Sequence, residues 1–221
     1  MPKQCAAPGC TRHTTAGYAR LCSRHQKLLR RHGHEAALPL TRGEIARAAC
    51  HVERLLSRHP NPEAAMSSLR QLLAGLRQEA RDKVTEAPVG APYSQHLAAK
   101  AAIQVLSEAA ADKVIYSLLA VAYLREDNPR RFINDRNYFI SVARRFRSLG
   151  SSQFNTYSKS EGERRQVLGD LKPEASFQLG QMLMTAFGPL GMRLCQQEQE
   201  RLRGAADRKQ AAITALFGEG A

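Results

Sequence analysis

The residues best suited to chemistry lie at the front of the chain, in CAAPGCTRHTTAGYARLCSRH, from Cys5 to His25. Cys5 and Cys10 are separated by four residues, Cys22 and His25 by two, and eleven residues lie between the pairs. Two close pairs of thiolate and imidazole donors suit a tetrahedral zinc ion. A short knuckle sets two side chains on one side of the ion. A second pair, with its last ligand in the first turn of a helix, closes the tetrahedron. Pro8-Gly9 supplies the turn of the first knuckle. Thr14 to Leu21, with Gly17 between, is expected to form a short hairpin, and Cys22 to Arg31 a helix carrying Leu28 and Leu29. His13 and His32 compete with His25 for the fourth position. His25 is preferred because its spacing from Cys22 fits a helix start. So short a segment buries too little apolar surface to fold unaided, so a staple is required. With all four positions filled by protein, one structural Zn2+ is expected, with no catalytic water.

The pattern Cys-x4-Cys, then Ala-Arg-Leu-Cys-x2-His, then a basic helix ending Arg-Arg-His-Gly, resembles a short treble-clef-like Cys3His zinc finger of bacterial and phage proteins, including some HNH nucleases. The resemblance covers residues 5–34. It implies zinc on Cys5, Cys10, Cys22 and His25, and nucleic acid nearby. It does not imply cleavage, because that chemistry needs further His and Asn ligands, and after His59 only His96 remains.

Charge points to a polyanion. The chain has 221 residues and a formal net charge of +13. The excess falls in two segments, residues 1–60 and 129–150, and the remainder is neutral. Focused cations raise the local potential and release counterions from phosphate. In the finger, Arg12, Arg20, Arg24, Lys27, Arg30 and Arg31 are the candidate nucleic-acid contacts. Arg24, Lys27 and Arg31 recur at three and four and share a helix face. The second segment, PRRFINDRNYFISVARRFRSL, reads as one amphipathic helix over 129–149. Phe132, Phe139 and Phe146 mark its core side. Arg130, Asn134, Asn137, Ser141, Arg144 and Arg145 mark its solvent side, with Arg131, Arg136 and Arg147 on the flanks. Arg and Asn are the types that pair with guanine and adenine edges. Arg130, Arg131, Asn137, Arg144, Arg145 and Arg147 are therefore the candidate contacts of the second patch.

The elements that must carry these residues are helical. Thr41-x-x-Glu44 is a capping box, Asn61-Pro62 a second start, and His59-Pro60 the stop between them. Ser94 caps a long helix ending near Glu126, with an interruption near Ser107. Gly150 to Ser158 reads as a polar loop, Ser160-x-x-Glu163 as another capping box, and Gly188-Pro189 as the end of a helix that Pro173 opens. A last helix runs from about Leu190 to Phe217. Convincing strands are missing outside the finger. The expected fold is mainly α, a small N-terminal zinc finger (short hairpin plus helix) followed by an all-helical domain. Its divisions are finger 1–36, helical hairpin 41–86, linker 87–92 and helical domain 93–217. Trp is absent and aromatics are 6%, so the core is read as mostly Ala and Leu. Cys50 and Cys195 are read as buried thiols.

Other chemistries lack their motifs. There is no phosphate-binding Gly-rich loop, no His-Glu-x-x-His and no Gly-x-Ser-x-Gly elbow. The start lacks the apolar stretch of a signal peptide, and no apolar run reaches the roughly 18 residues of a membrane span. The expectation is a cytoplasmic, non-enzymatic protein that binds double-stranded DNA, with RNA as a further candidate, in regulation or a mobile element. The alternative is a helical protein-interaction module, or a phage or plasmid inhibitor docking on a nucleic-acid-processing complex.

Overall fold

A computed structural model of the chain describes residues 3–86, 92–151, 154–160 and 163–217. Seven α-helices and one two-stranded sheet occur among the described residues. They are α1 (Ser23–His32), α2 (Arg42–Ser57), α3 (Pro62–Thr85), α4 (Tyr93–Glu108), α5 (Ala111–Asp127), α6 (Asp135–Arg147), β1 (Phe154–Ser160), β2 (Glu163–Leu168) and α7 (Pro173–Phe217). The mainly helical fold matches the expectation.

Local signals place two helix starts. The Thr41 hydroxyl accepts from the Glu44 amide, and the Glu44 carboxylate accepts from the Thr41 amide, so α2 begins with both halves of the capping box. Asn61 caps α3 by accepting from Ala64 N, with Pro62 in the first turn. Each helix then buries a stripe at three- and four-residue spacing: Ile45, Ala48, Val52 and Leu56 on α2, and Met66, Leu69, Leu73, Leu76 and Ala80 on α3. α5 is apolar almost all round and occupies the centre, against α2 and α7. The buried residues of α2 to α7 form one hydrophobic cluster. Residues 41–86 and 93–217 thus share a core. The expected linker at 87–92 lies, Pro92 apart, outside the described residues.

Four expectations are corrected. The interruption expected near Ser107 falls at Ala109, which is extended between α4 and α5, but the start differs: Pro92 rather than Ser94 stands at the cap of α4. The helix over 129–149 is shortened. Pro129–Arg131 is a single 3-10 turn, Phe132 is extended, and Asn134 caps α6 by accepting from Asn137 N. Residues 154–160 and 163–168 form an antiparallel pair of strands that sets Phe154 opposite Leu168 and Tyr157 opposite Arg165. The Ser160-x-x-Glu163 pattern starts no helix, since Gly169 follows too soon for an apolar helical face to develop. Gly188-Pro189 does not end a helix either. α7 runs through it for 45 residues. Pro189 and Thr185, whose carbonyl loses its helical donor, are both exposed, so water can satisfy that group. Buried Phe187 and Cys195 on either side hold the helix on course.

Two glycines fix how α7 lies on its neighbours. A Cβ at Gly180 would come 2.0 Å from the Phe139 carbonyl oxygen, and one at Gly191 would come 2.3 Å from the Ala122 Cβ. The backbone of α7 therefore rests directly on α6 and α5. Cys195 is buried as expected, whereas Cys50 is exposed, because its position on α2 lies off the stripe that faces the core.

Candidate metal centre and basic surfaces

The finger is built from backbone turns rather than from a hydrophobic core. Gln4 bridges His13, Cys5 N donates to Arg12 O at 2.9 Å, and Thr14 N donates to Lys3 O at 2.8 Å. The pairing thus joins residues 3–5 to 12–14. The hairpin expected at Thr14 to Leu21 is replaced by turns, fixed by a buried Thr14 hydroxyl that accepts from Lys3 N and donates to Ala16 O. Gly9 takes φ 70°, the left-handed conformation the knuckle needs, and Cys10 N closes that turn on Ala7 O.

Cys22 is the cap of α1 and His25 sits in its first turn. Cys5 Sγ and Cys22 Sγ lie 3.3 and 3.4 Å from His25 Nδ1, and Cys10 Sγ lies 4.0 Å from Cys22 Sγ. Every ligand atom of Cys5, Cys10, Cys22 and His25 lies within 4.8 Å of the others. Around a tetrahedral ion, sulfur–sulfur edges would be about 3.8 Å and sulfur–nitrogen edges about 3.6 Å. The four residues are therefore close enough to bind one metal ion. Local dipoles suit thiolates. The His25 amide at the start of α1 holds the Cys22 thiol below its ordinary range. The Arg12 amide pulls on Cys10, but burial and the neighbouring Cys5 and Cys22 sulfurs outweigh it and raise that thiol. Cys22 N also donates to Cys5 Sγ at 3.2 Å. The competitors fall away: His13 is exposed on the bridge, and His32 lies seven residues beyond His25 at the far end of α1.

No residue of α1 is buried. The helix is held at its start by the cluster and at its end by α6. Gly33 caps it at φ 76°, with room for no Cβ, since one would meet Arg136 O and Ile140 Cδ1 at 3.0 Å. Asn137, only 1% exposed, donates from Nδ2 to His32 O at 2.7 Å and accepts from Ile133 N at 3.3 Å.

The expected basic surfaces fare differently. Arg12, Arg20, Arg24 and Lys27 are exposed and have no ion-pair partner among the described residues. Arg30 and Arg31 share the carboxylate of Asp170, at 3.0 and 3.2 Å. Arg24 and Lys27 thus face solvent, while Arg31 turns toward the helical domain. In the central segment only Arg130 stays exposed and unpaired among the described residues. Asn137 does not lie on a solvent face; it anchors α1. Arg147 is buried, at 6% exposure. Arg131 is bound to Glu44 at 2.8 Å and donates to the Leu38 and Pro39 carbonyls at 3.1 and 3.0 Å. Arg144 and Arg145 are half-buried beside a cavity. The solvent side expected of this helix is therefore largely an internal seam against α1 and the start of α2. The elements that cover it lie about a hundred residues earlier in the chain, beyond what helical periodicity conveys. Asp170 carried no sequence signal, being one carboxylate among many.

No helix among the described residues is long and apolar enough to cross a membrane. Comparison with known protein families, with curated proteins and with solved structures returns no match to this chain.

Proposed function

We propose that this chain is a non-enzymatic nucleic-acid-binding protein whose N-terminal finger is stapled by one structural Zn2+ and grips phosphate from its outer face. The carrying observation is the juxtaposition of a metal-ready Cys3His cluster with Arg12, Arg20, Arg24 and Lys27, all exposed and without ion-pair partners among the described residues. Three thiolates and one imidazole in a tetrahedral arrangement favour zinc. The resemblance of residues 5–34 to treble-clef-like fingers of bacterial and phage proteins supports the same reading, in a regulatory or mobile-element setting in the cytoplasm. Duplex DNA is the polymer of choice, because α1 presents Arg24 and Lys27 from a rigid helix that fits a groove or spans phosphates.

The test is a duplex-binding titration at two salt concentrations with the full chain and the R24Q/K27Q double variant. Losing two phosphate contacts should lower the slope of log K on log salt by about 1.8. An unchanged slope removes α1 from the contact surface. Stronger binding to single-stranded or duplex RNA would reassign the polymer.

A second reading has its own observation. The last part of α7 leaves the core, with Leu202 and Ile213 exposed at 53% and 40%. A helix with apolar side chains in water suits a protein partner, as in an inhibitor docking on a nucleic-acid-processing complex. Salt-insensitive binding to such a complex, with none to bare duplex, would favour it.

A further inference from the structure

Ser141, Arg144 and Arg145 on α6, and Ser148 at its C-terminal cap, recur at spacings that keep them on one side of the helix. That side is only partly open to water. It faces Thr41 and Arg42 at the start of α2, and together these residues line a cavity of about 210 Å³. His32 and the apolar Pro39, Leu40 and Ile45 complete its wall. The lining thus holds three guanidinium groups and three hydroxyls, and no carboxylate.

The acidic groups in reach are committed elsewhere. Glu44, two residues from Arg42, is held by Arg131 at 2.8 Å. Asp170 is held by Arg30 at 3.0 Å and Arg31 at 3.2 Å, and reaches Arg144 only at 3.9 Å. Arg42 has no acidic partner among the described residues. Arg145 has only neutral ones: it donates from Nη2 to Ser117 Oγ at 3.1 Å and from Nη1 to Ser148 Oγ at 3.4 Å. Its Nε is enclosed with no hydrogen-bond partner. Burial lowers the proton affinity of Arg144 and Arg145, with Arg31 and Arg42 respectively adding like-charge repulsion. Arg145, half-buried beside Arg42 and without a counter-charge, is costly to hold there, and a bound anion would relieve that cost.

We propose that this cavity is a binding site for a tetrahedral oxyanion, namely a phosphate group. Arginine forks match phosphate oxygens in pairs, and the hydroxyls of Thr41 and Ser141 are available to complete its hydrogen bonding, whereas the Ser148 hydroxyl already donates to Arg145 O. The amides of Arg42 and Gly43, in the first turn of α2, have no intrahelical acceptor, and the helix dipole favours an anion there. His32 is held neutral, its pKa pushed down to about 4 by burial and by Arg144 and Arg31, so it adds no further charge at neutral pH. The phosphate is either a link of a nucleic-acid backbone or a small phosphate ester, and the chemistry of the site is the same for both. The proposal stands apart from the finger's proposed role.

The experiment titrates the full chain with inorganic phosphate by calorimetry and thermal unfolding, with ionic strength held constant by chloride. Saturable binding with a rise in Tm is expected, absent with chloride alone. R42Q should weaken phosphate binding about tenfold. Arg42 is exposed, so this variant keeps the test valid even if R145Q, which also loses the Ser117 contact, fails to fold. R24Q/K27Q should bind phosphate like the unaltered chain, which separates this site from the finger. Equal effects of phosphate and chloride, or unchanged phosphate binding by R42Q, would overturn the proposal. With phosphate binding established, a matching loss of duplex affinity in R42Q assigns the site to a backbone phosphate. An unchanged duplex affinity assigns it to a small ester.

Discussion

Replacing Glu44 with Gln should convert one feature of the fold into a measurable pH dependence. The Glu44 carboxylate accepts from Arg131 Nε at 2.8 Å and Nη2 at 3.2 Å, and from the Thr41 amide at 2.7 Å. The two side chains are only 26% and 14% exposed. Arg131 first, and the Thr41 contacts after it, lower the Glu44 pKa from 4.5 to about 2. At about 1.4 kcal/mol per pKa unit the shift corresponds to about 3 kcal/mol, and partial exposure reduces this to about 2 kcal/mol. The carboxyl is depressed, so the unfolded chain takes up the proton first as pH falls. The stabilisation is fully present above pH 4.5 and is lost between there and about pH 2. Gln preserves the capping geometry but carries no charge. The E44Q chain should therefore be about 2 kcal/mol less stable at pH 7 and equal to the unaltered chain near pH 2. Urea unfolding of both chains from pH 2 to 7 at constant ionic strength measures this. Taking the difference between them cancels acid release of metal from the finger. A gap that stays constant across the range, or one below about 0.5 kcal/mol at pH 7, would refute the reasoning.

Two further outcomes follow from the finger and its anchor. Cys10→Ala removes one of four ligands, so purified protein should lose most of its bound metal, and protease should cut residues 1–32 while the helical core resists. Full metal content by elemental analysis would sink the ligand assignment. Asn137→Ala leaves His32 O and Ile133 N without their partner in a buried setting, and should cost about 2–3 kcal/mol in denaturant unfolding with metal content unchanged. A cost under about 0.5 kcal/mol would show that α1 is not anchored there.

What could be read from the linear chain is what short-range chemistry decides. Cys5, Cys10, Cys22 and His25 converge because knuckles a few residues long have little freedom, and the preference for His25 over His13 and His32 came from spacing alone. Thr41 and Asn61 mark helix starts because a cap bonds its own first turn. The apolar stripes of α2 and α3 follow from helical periodicity. Competition between local signals and distant packing decided the rest. Pro189 stops nothing, because α7 is held on both sides of it by α5 and α6. Asn137 and Arg131 looked like surface residues, yet their partners His32 and Glu44 lie 105 and 87 positions away. Asp170, some 140 positions from Arg30, absorbs charge that the sequence placed on the outside. Local geometry depends on neighbours already written in the chain. The fate of a charge depends on which groups the fold brings to it, and only the tertiary structure decided which arginines remain without a counter-charge.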